Sequence, residues 1–213
     1  MPADGPAPAL ILLAKSPVPG QVKTRLMPEL SAHDAAEVAA ALIRASVRLA
    51  VHAWTGPVYL LGWPDLEHDV FNDLAESTRI QLGVQIEGSL GEKISGAICS
   101  HTARGIPAAV MGCDIPHCPP CQLQLAGESL KAGRNVIGPG TDGGYYLIGL
   151  QNCQPGLFSG ISWGGVDVFP KTMELAAALG IEFTVLDTLR DIDDYRDLVA
   201  LADQIPILKP WSI

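Results

Sequence analysis

The chain has 213 residues, 48% apolar and 17% charged, which suits one folded domain with a sizeable core and excludes a disordered protein. Acids outnumber bases 23 to 14, a formal charge of −9, which is the wrong sign for a general nucleic-acid or anionic-membrane binder. No apolar run reaches the roughly 18 residues of a membrane span, and five unevenly spaced cysteines do not make a disulfide framework, so the expectation is a cytoplasmic protein with no membrane insertion.

Residues 1–8 read as a flexible leader, since an acid precedes the first apolar stretch and no small-residue cleavage site follows it. Residues 9–14 (ALILLA) are a solid apolar run of strand length, suited to burial on both faces. A loop rich in Pro and Gly follows. Ser31 and Asp34 then fit a helix N-terminus, and Val38, Leu42, Ala45 and Leu49 trace one face of a long helix. Further strands are expected at 57–61, 80–86, 107–111, 135–137, 145–150 and 182–186. Helices are expected at 90–103, 123–130, 166–179 and 194–203. With no repeat and no long linker, residues 1–213 form one domain, a three-layer α/β/α fold with a mostly parallel central sheet. Ligands of such sheets sit beyond the carboxyl ends of the strands, which singles out three loops.

The first loop carries Lys15, Lys23 and Arg25, the only Lys or Arg in the first 43 residues. Pro17 and Pro19 stiffen it and Gly20 frees it to fold over the strand end. There an arginine fork and lysine point charges suit a di- or triphosphate; the alternative is a solvated basic loop. PGQVKT lacks the spacing of a P-loop. Asp114, held between Gly112 and Pro116 at a strand end, is either a ligand for Mg2+ or Mn2+ or a turn aspartate. Residues 138–143 (GPGTDG) spell G-x-G-x-x-G, but strand-like sequence follows where a dinucleotide fingerprint needs a helix. Those glycines suit either close backbone approach to a substrate, presenting Asp142 as metal ligand or base, or a hairpin turn. Cys118 and Cys121, with Cys113 and His117 nearby, lack both a thioredoxin context and a second cysteine pair for zinc, and read as residues at a helix start. Asp191, Asp193 and Asp194 precede an apolar helix and read chiefly as its cap.

AKSPVPGQVKTRL (14–26), QIEGSLGEKI (85–94), GCDIP (112–116), GPGTDGGYYLIGL (138–150), SWGG (162–165) and DIDDYRDL (191–198) form a series. It resembles, in order and over nearly the whole chain, the family named radical-SAM/selenodomain-associated transferase 1, of the GT-A-type nucleotide-diphospho-sugar transferase superfamily. The resemblance implies a Rossmann-like GT-A fold and a glycosyltransferase that takes a nucleotide sugar and a small-molecule acceptor. It implies nucleotide binding by Lys15, Pro19, Gly20, Lys23, Arg25, Gln85, Gly88 and Gly91, with Asp114 and Asp142 on a Mg2+ or Mn2+ ion. Asp142, Lys23 and Arg25 would be catalytic, and Gly143, Gly144, Tyr145 and Tyr146 would face the acceptor. Two departures stand out: Asp114 lies in C-D-I-P rather than D-x-D, and a proline-bearing loop replaces the usual glycine-rich one. The loop cations are equally similar to those of 2-phospholactate guanylyltransferases. A nucleotidyltransferase that joins an NTP to a phosphorylated small molecule and releases pyrophosphate is therefore the alternative.

Overall fold

Strand β1 (Ala9–Lys15) is the centre of the architecture, because Ala9, Leu10, Ile11 and Leu12 have no exposed surface and can be covered only from both sides of a sheet. In the computed structural model, which describes residues 5–212, it lies between β2 (Val58–Trp63) and β4 (Ala108–Gly112), parallel to both. The sheet continues through β3 (Ile80–Val84) on one side, and through β6 (Tyr145–Leu150), β5 (Asn135–Pro139) and β7 (Phe183–Val185) on the other. The seven strands run in the order β3-β2-β1-β4-β6-β5-β7. Only β6 is antiparallel to its neighbours. The sequence expectation of a mostly parallel α/β sheet is met, and GPGTDGG is the turn of the β5–β6 hairpin, where Gly140 N–H donates to the Gly144 carbonyl at 3.0 Å.

Helices α1 (Ala32–Ala53), α2 (Asp69–Ser77) and α4 (Pro120–Lys131) cover one face through Leu10, Leu60, Phe71, Met111 and Leu123. Helices α3 (Leu90–Thr102) and α5 (Val168–Ala178) cover the other through Ile11, Ile94, Ile98, Val110 and Ile148. Helix α6 (Tyr195–Leu201) and a 3-10 segment (Pro206–Trp211) rest on the start of α1, with Leu26, Val38, Leu42, Ile192, Leu198 and Leu208 between them. The Ser31 hydroxyl accepts from Asp34 N–H at 3.1 Å, and Ser89 with Glu92 forms a full capping box at the start of α3. No helix among the described residues is long and apolar enough to cross a membrane.

Several expectations need correction. Helix α2 is short and carries only Val70, Phe71 and Leu74 inward, too little periodicity to be read from sequence. Although the cysteine spacing signalled no bridge, Cys99 on α3 and Cys153 after β6 are joined by a disulfide; their 54-residue separation is closed by the packing of α3 beside the segment that follows β6. The leader expected at 1–8 is partly tied down, since the Pro8 carbonyl accepts from Trp54 Nε1 at 2.8 Å; residues 1–4 lie outside the described residues.

Candidate active site

The strand order reverses at β1, with β2 and β3 on one side and β4, β6 and β5 on the other. The carboxyl ends of β1 and β4 therefore open onto the crevice where ligands of such sheets bind. A cleft of about 490 Å³ lies there. Leu13, Leu90, Ile94 and Ile148 make its apolar floor; Lys15, Lys23, Arg25, Asp114 and Asp193 make its rim.

The loop after β1 is seated by Val22, buried against Ala36 and Ala39 of α1, and by Leu26, which plugs the cluster under α6. Between these two anchors Lys23 adopts φ 46°, ψ 39°, the only positive φ outside glycine among the described residues. Strain of this kind persists where surrounding contacts over-determine it, and the contacts are present. Lys23 Nζ lies 2.8 Å from Asp114 Oδ1 and donates to the Ile192 carbonyl at 2.5 Å. The Lys23 side chain is only 10% exposed, so this ion pair is shielded from solvent on one side. Arg25, by contrast, is open to solvent and pairs with Asp193. Lys15 donates to the Gln21 carbonyl at 2.7 Å and remains exposed.

A strap formed by residues 186–193 runs across the same edge. Leu186 N–H donates to Ile137 (2.8 Å), Leu189 N–H to Pro139 (3.1 Å) and Ile192 N–H to Asp114 (3.0 Å), while Thr141 N–H donates back to Leu189 (2.9 Å). The strap is pinned further by Gln122, whose Nε2 donates to Asp187 Oδ2 (2.7 Å) and whose Oε1 accepts from Asp187 N–H (3.1 Å). Tyr146 OH donates to the Asp187 carbonyl at 3.2 Å. All three loops singled out by the sequence are thus tied to one segment. That segment delivers Asp191 and Asp193, which sequence reasoning gave chiefly to helix capping. The cap is in fact Asp194, in a reciprocal box with Asp197. Three acids within four positions were the available signal; their placement is tertiary.

Burial pushes the Asp191 carboxyl up to about 6, helped by the negative charges of Asp142, Asp114 and Asp193. Asp114, Asp142, Asp191 and Asp193 therefore share one electrostatic neighbourhood. Asp142 is exposed, does not line the cleft, and accepts from Gly144 N–H through Oδ1 at 2.9 Å. Among the described residues neither Asp142 nor Asp191 has a cationic side chain within salt-bridge distance. A surplus of hard oxygen donors suits a divalent cation such as Mg2+ or Mn2+. Among the described residues no three His, Cys, Asp or Glu side chains are grouped so as to hold a metal ion.

The remaining site candidates divide. Tyr145 and Tyr146 line the cleft, and burial pushes both phenols well above their ordinary value, so neither serves as a base. Pro19 and Gly20 are exposed on the outer bend of the loop, and neither lines the cleft. Gln85 bridges strand ends, its Nε2 donating to the carbonyls of Ala14 and Leu61, both at 2.8 Å. Gly88, at φ 125°, sits over Glu92. Gly91 is packed under Trp163: a Cβ there would fall 2.7 Å from the indole. Gly143, at φ 89°, lies against the Val166 carbonyl, and its own carbonyl accepts from Phe169 N–H at 2.7 Å, so it docks the 160s loop. Gly144 packs on the Asp142 carboxylate. Cys113 and Cys118 are buried free thiols; burial raises both, Cys118 to about 12, so neither ionises readily.

The sequence profile of a family described as uncharacterized protein conserved in bacteria (DUF2064) matches residues 27–165. No curated protein matches the chain. Among solved structures, the fold is similar to that of a candidate nucleotide-diphospho-sugar transferase of Desulfovibrio desulfuricans G20 (TM-score 0.81, 25% identity, 98% of this chain and 99% of that one). It is also similar to the inositol-1-phosphate CTP transferase of T. maritima (TM-score 0.57, 14% identity, 97% of each chain). A third match is Rv0371c of Mycobacterium tuberculosis H37Rv, solved as a manganese complex (TM-score 0.55, 14% identity, 93% and 99%). The last two likenesses speak for the fold alone.

Proposed function

Taking as premise that the chain belongs to the DUF2064 family, we propose that it is an enzyme, a metal-dependent transferase that moves a glycosyl group from a nucleoside-diphosphate sugar to a small acceptor. The observation that carries this reading is the gathering of Lys23, Arg25, Asp114 and Asp193 at the mouth of one cleft, at the point where the strand order reverses. The similarity to a candidate transferase over nearly the whole of both chains supports it, and the motif series extends it toward the radical-SAM/selenodomain-associated transferases.

Without substrate, Lys23 and Arg25 are engaged by Asp114 and Asp193. A diphosphate entering the cleft offers the same cations a stronger acceptor, arginine through its fork and lysine as a point charge. In the transfer, the acceptor oxygen bonds to C1 of the sugar as the bond from C1 to the phosphate oxygen breaks. The electron pair leaves with the nucleoside diphosphate, and the acceptor proton passes to Asp142 or Asp191, the carboxylates that share the electrostatic neighbourhood of Asp114 beside the cleft. Lys23 and Arg25 stabilise the charge that develops on the leaving phosphate, usually the largest catalytic effect in such sites. A Mg2+ or Mn2+ ion held by Asp114, with Asp142 or Asp191, would supply further charge neutralisation at the diphosphate.

Two measurements test this. Incubation with Mn2+, nucleotide sugars and an acceptor panel should release nucleoside diphosphate; turnover only with NTP, with pyrophosphate as product, would reassign the site to nucleotidyl transfer. In a thermal-shift screen, nucleotide at a hundredfold excess over Kd stabilises by about 2.7 kcal/mol. Asp114→Asn should abolish the metal-dependent part of that shift while the ligand-free protein stays folded. An unchanged metal response would remove Asp114 from the site.

A further inference from the structure

Beside the cleft, on the far side of the first turn of α3, lies an open groove of about 740 Å³ between α3 and the segment that follows β6. Leu90 lines the cleft and Gly91 lines the groove, so the two share one helical turn. They share an aromatic wall as well: Trp163, in the groove, meets Tyr145, in the cleft, edge to face at 6.2 Å. Trp163 is fixed from behind. It stacks on the buried Phe158 at 6.5 Å and 25°, and packs over the bare backbone of Gly91. Ile86, packed on Gly96 and still 53% exposed, adds an apolar surface.

The charges of the two cavities are opposed. The cleft has Lys15, Lys23 and Arg25; the groove has Glu87 and Glu92 and, among its lining residues, no Lys, Arg or His. A phosphorylated compound entering the groove would lose hydration and meet two carboxylates with no cation to replace it. A preformed aromatic platform with few polar groups suits the face of a sugar or aryl ring. We propose that this groove is the acceptor subsite, and that the acceptor is an uncharged, ring-bearing hydroxyl compound rather than a phosphorylated one. The inference rests on the transferase reading and narrows it to an acceptor without a phosphate.

Calorimetric titration with 4-nitrophenyl β-D-glucoside and with its 6-phosphate, a pair matched in shape and differing in charge, tests the subsite without turnover. The glucoside should bind at least tenfold more tightly than its phosphate. Trp163→Ala should raise the glucoside Kd at least tenfold and Trp163→Phe less than threefold. Glu87→Lys, on an exposed loop, should narrow the gap between the two probes. Binding of the phosphate as tightly as the glucoside overturns the proposal. So does no binding of either probe, or an unchanged Kd in a Trp163→Ala protein that melts normally. The nucleotide thermal shift, run on the same variants, separates the two ideas. Nucleotide binding without glucoside binding removes the groove and leaves the transferase. Glucoside binding without any nucleotide response removes the transferase reading.

Discussion

At the residue scale, Lys23 concentrates the argument. Its backbone is left-handed, which costs a non-glycine residue about 1–2 kcal/mol. Lys23→Gly should therefore recover backbone strain while losing the ion pair to Asp114, leaving stability close to its starting value. Activity should fall by about 100-fold or more, the usual loss when an electrostatic donor is removed from a site. Activity near the starting level would show that the strain serves packing alone. Asp191 makes a second prediction, through pH. Its carboxyl stands at about 6 in the folded chain against an ordinary 3.8, so the folded state holds the extra proton between those values. Stability must then fall as pH rises through that window. Allowing for solvent screening of a half-buried group, Asp191→Asn should stabilise the protein by about 1 kcal/mol at pH 7.5 and leave it unchanged at pH 3.5. Denaturant midpoints at the two pH values give the answer, and equal effects at both would refute the carboxylate cluster.

At the scale of elements, the strap is what turns separate loops into a site. Gln122 reaches it from α4, holding both the backbone and the carboxylate of Asp187 from a nearly buried position. Gln122→Leu keeps the volume but strands both partners, at a cost of about 1–3 kcal/mol. Since Asp191 and Asp193 hang from the same segment, activity should drop at least tenfold as well. Ser31→Ala is the control: it removes the α1 cap, also about 1 kcal/mol, without breaking any hydrogen bond of the strap, and should lower stability while sparing kcat. Were the two variants to lose activity alike, the strap would have no special role. Strap and loop also explain why the individual motifs were ambiguous in sequence. GPGTDGG is a hairpin turn and still carries Asp142 into the shared field of carboxylates. One segment satisfies the bland reading and the chemical one together.

Over the whole molecule, the Cys99–Cys153 bridge ties α3, which carries one wall of the cleft, to the segment leaving β6. A loop of that length closed in the unfolded chain is worth on the order of 2–4 kcal/mol. Reduction should lower Tm by about 5–15 °C for a domain of this size. Thiol titration in denaturant without reductant should count three free cysteines, Cys113, Cys118 and Cys121; a count of five would mean that the bridge does not form. The bridge also sits in the lining of the groove beside α3.

The sequence by itself determined most of the alternation of strands and helices, the burial of ALILLA on both faces, the Ser31 cap and the three loops at the carboxyl edge. These depend on local periodicity and local hydrogen bonding, which neighbouring residues carry among themselves. Only the tertiary structure decided that Asp191 and Asp193 join Asp114, that Gln85 braces strand ends, that Gly91 makes room for Trp163 and that Cys99 meets Cys153. Each of those facts joins segments tens of residues or more apart in the chain or fixes the direction of one side chain. Hydrophobic pattern sets which face of an element is buried, but the contacts made at its ends depend on how the packed layers register against one another.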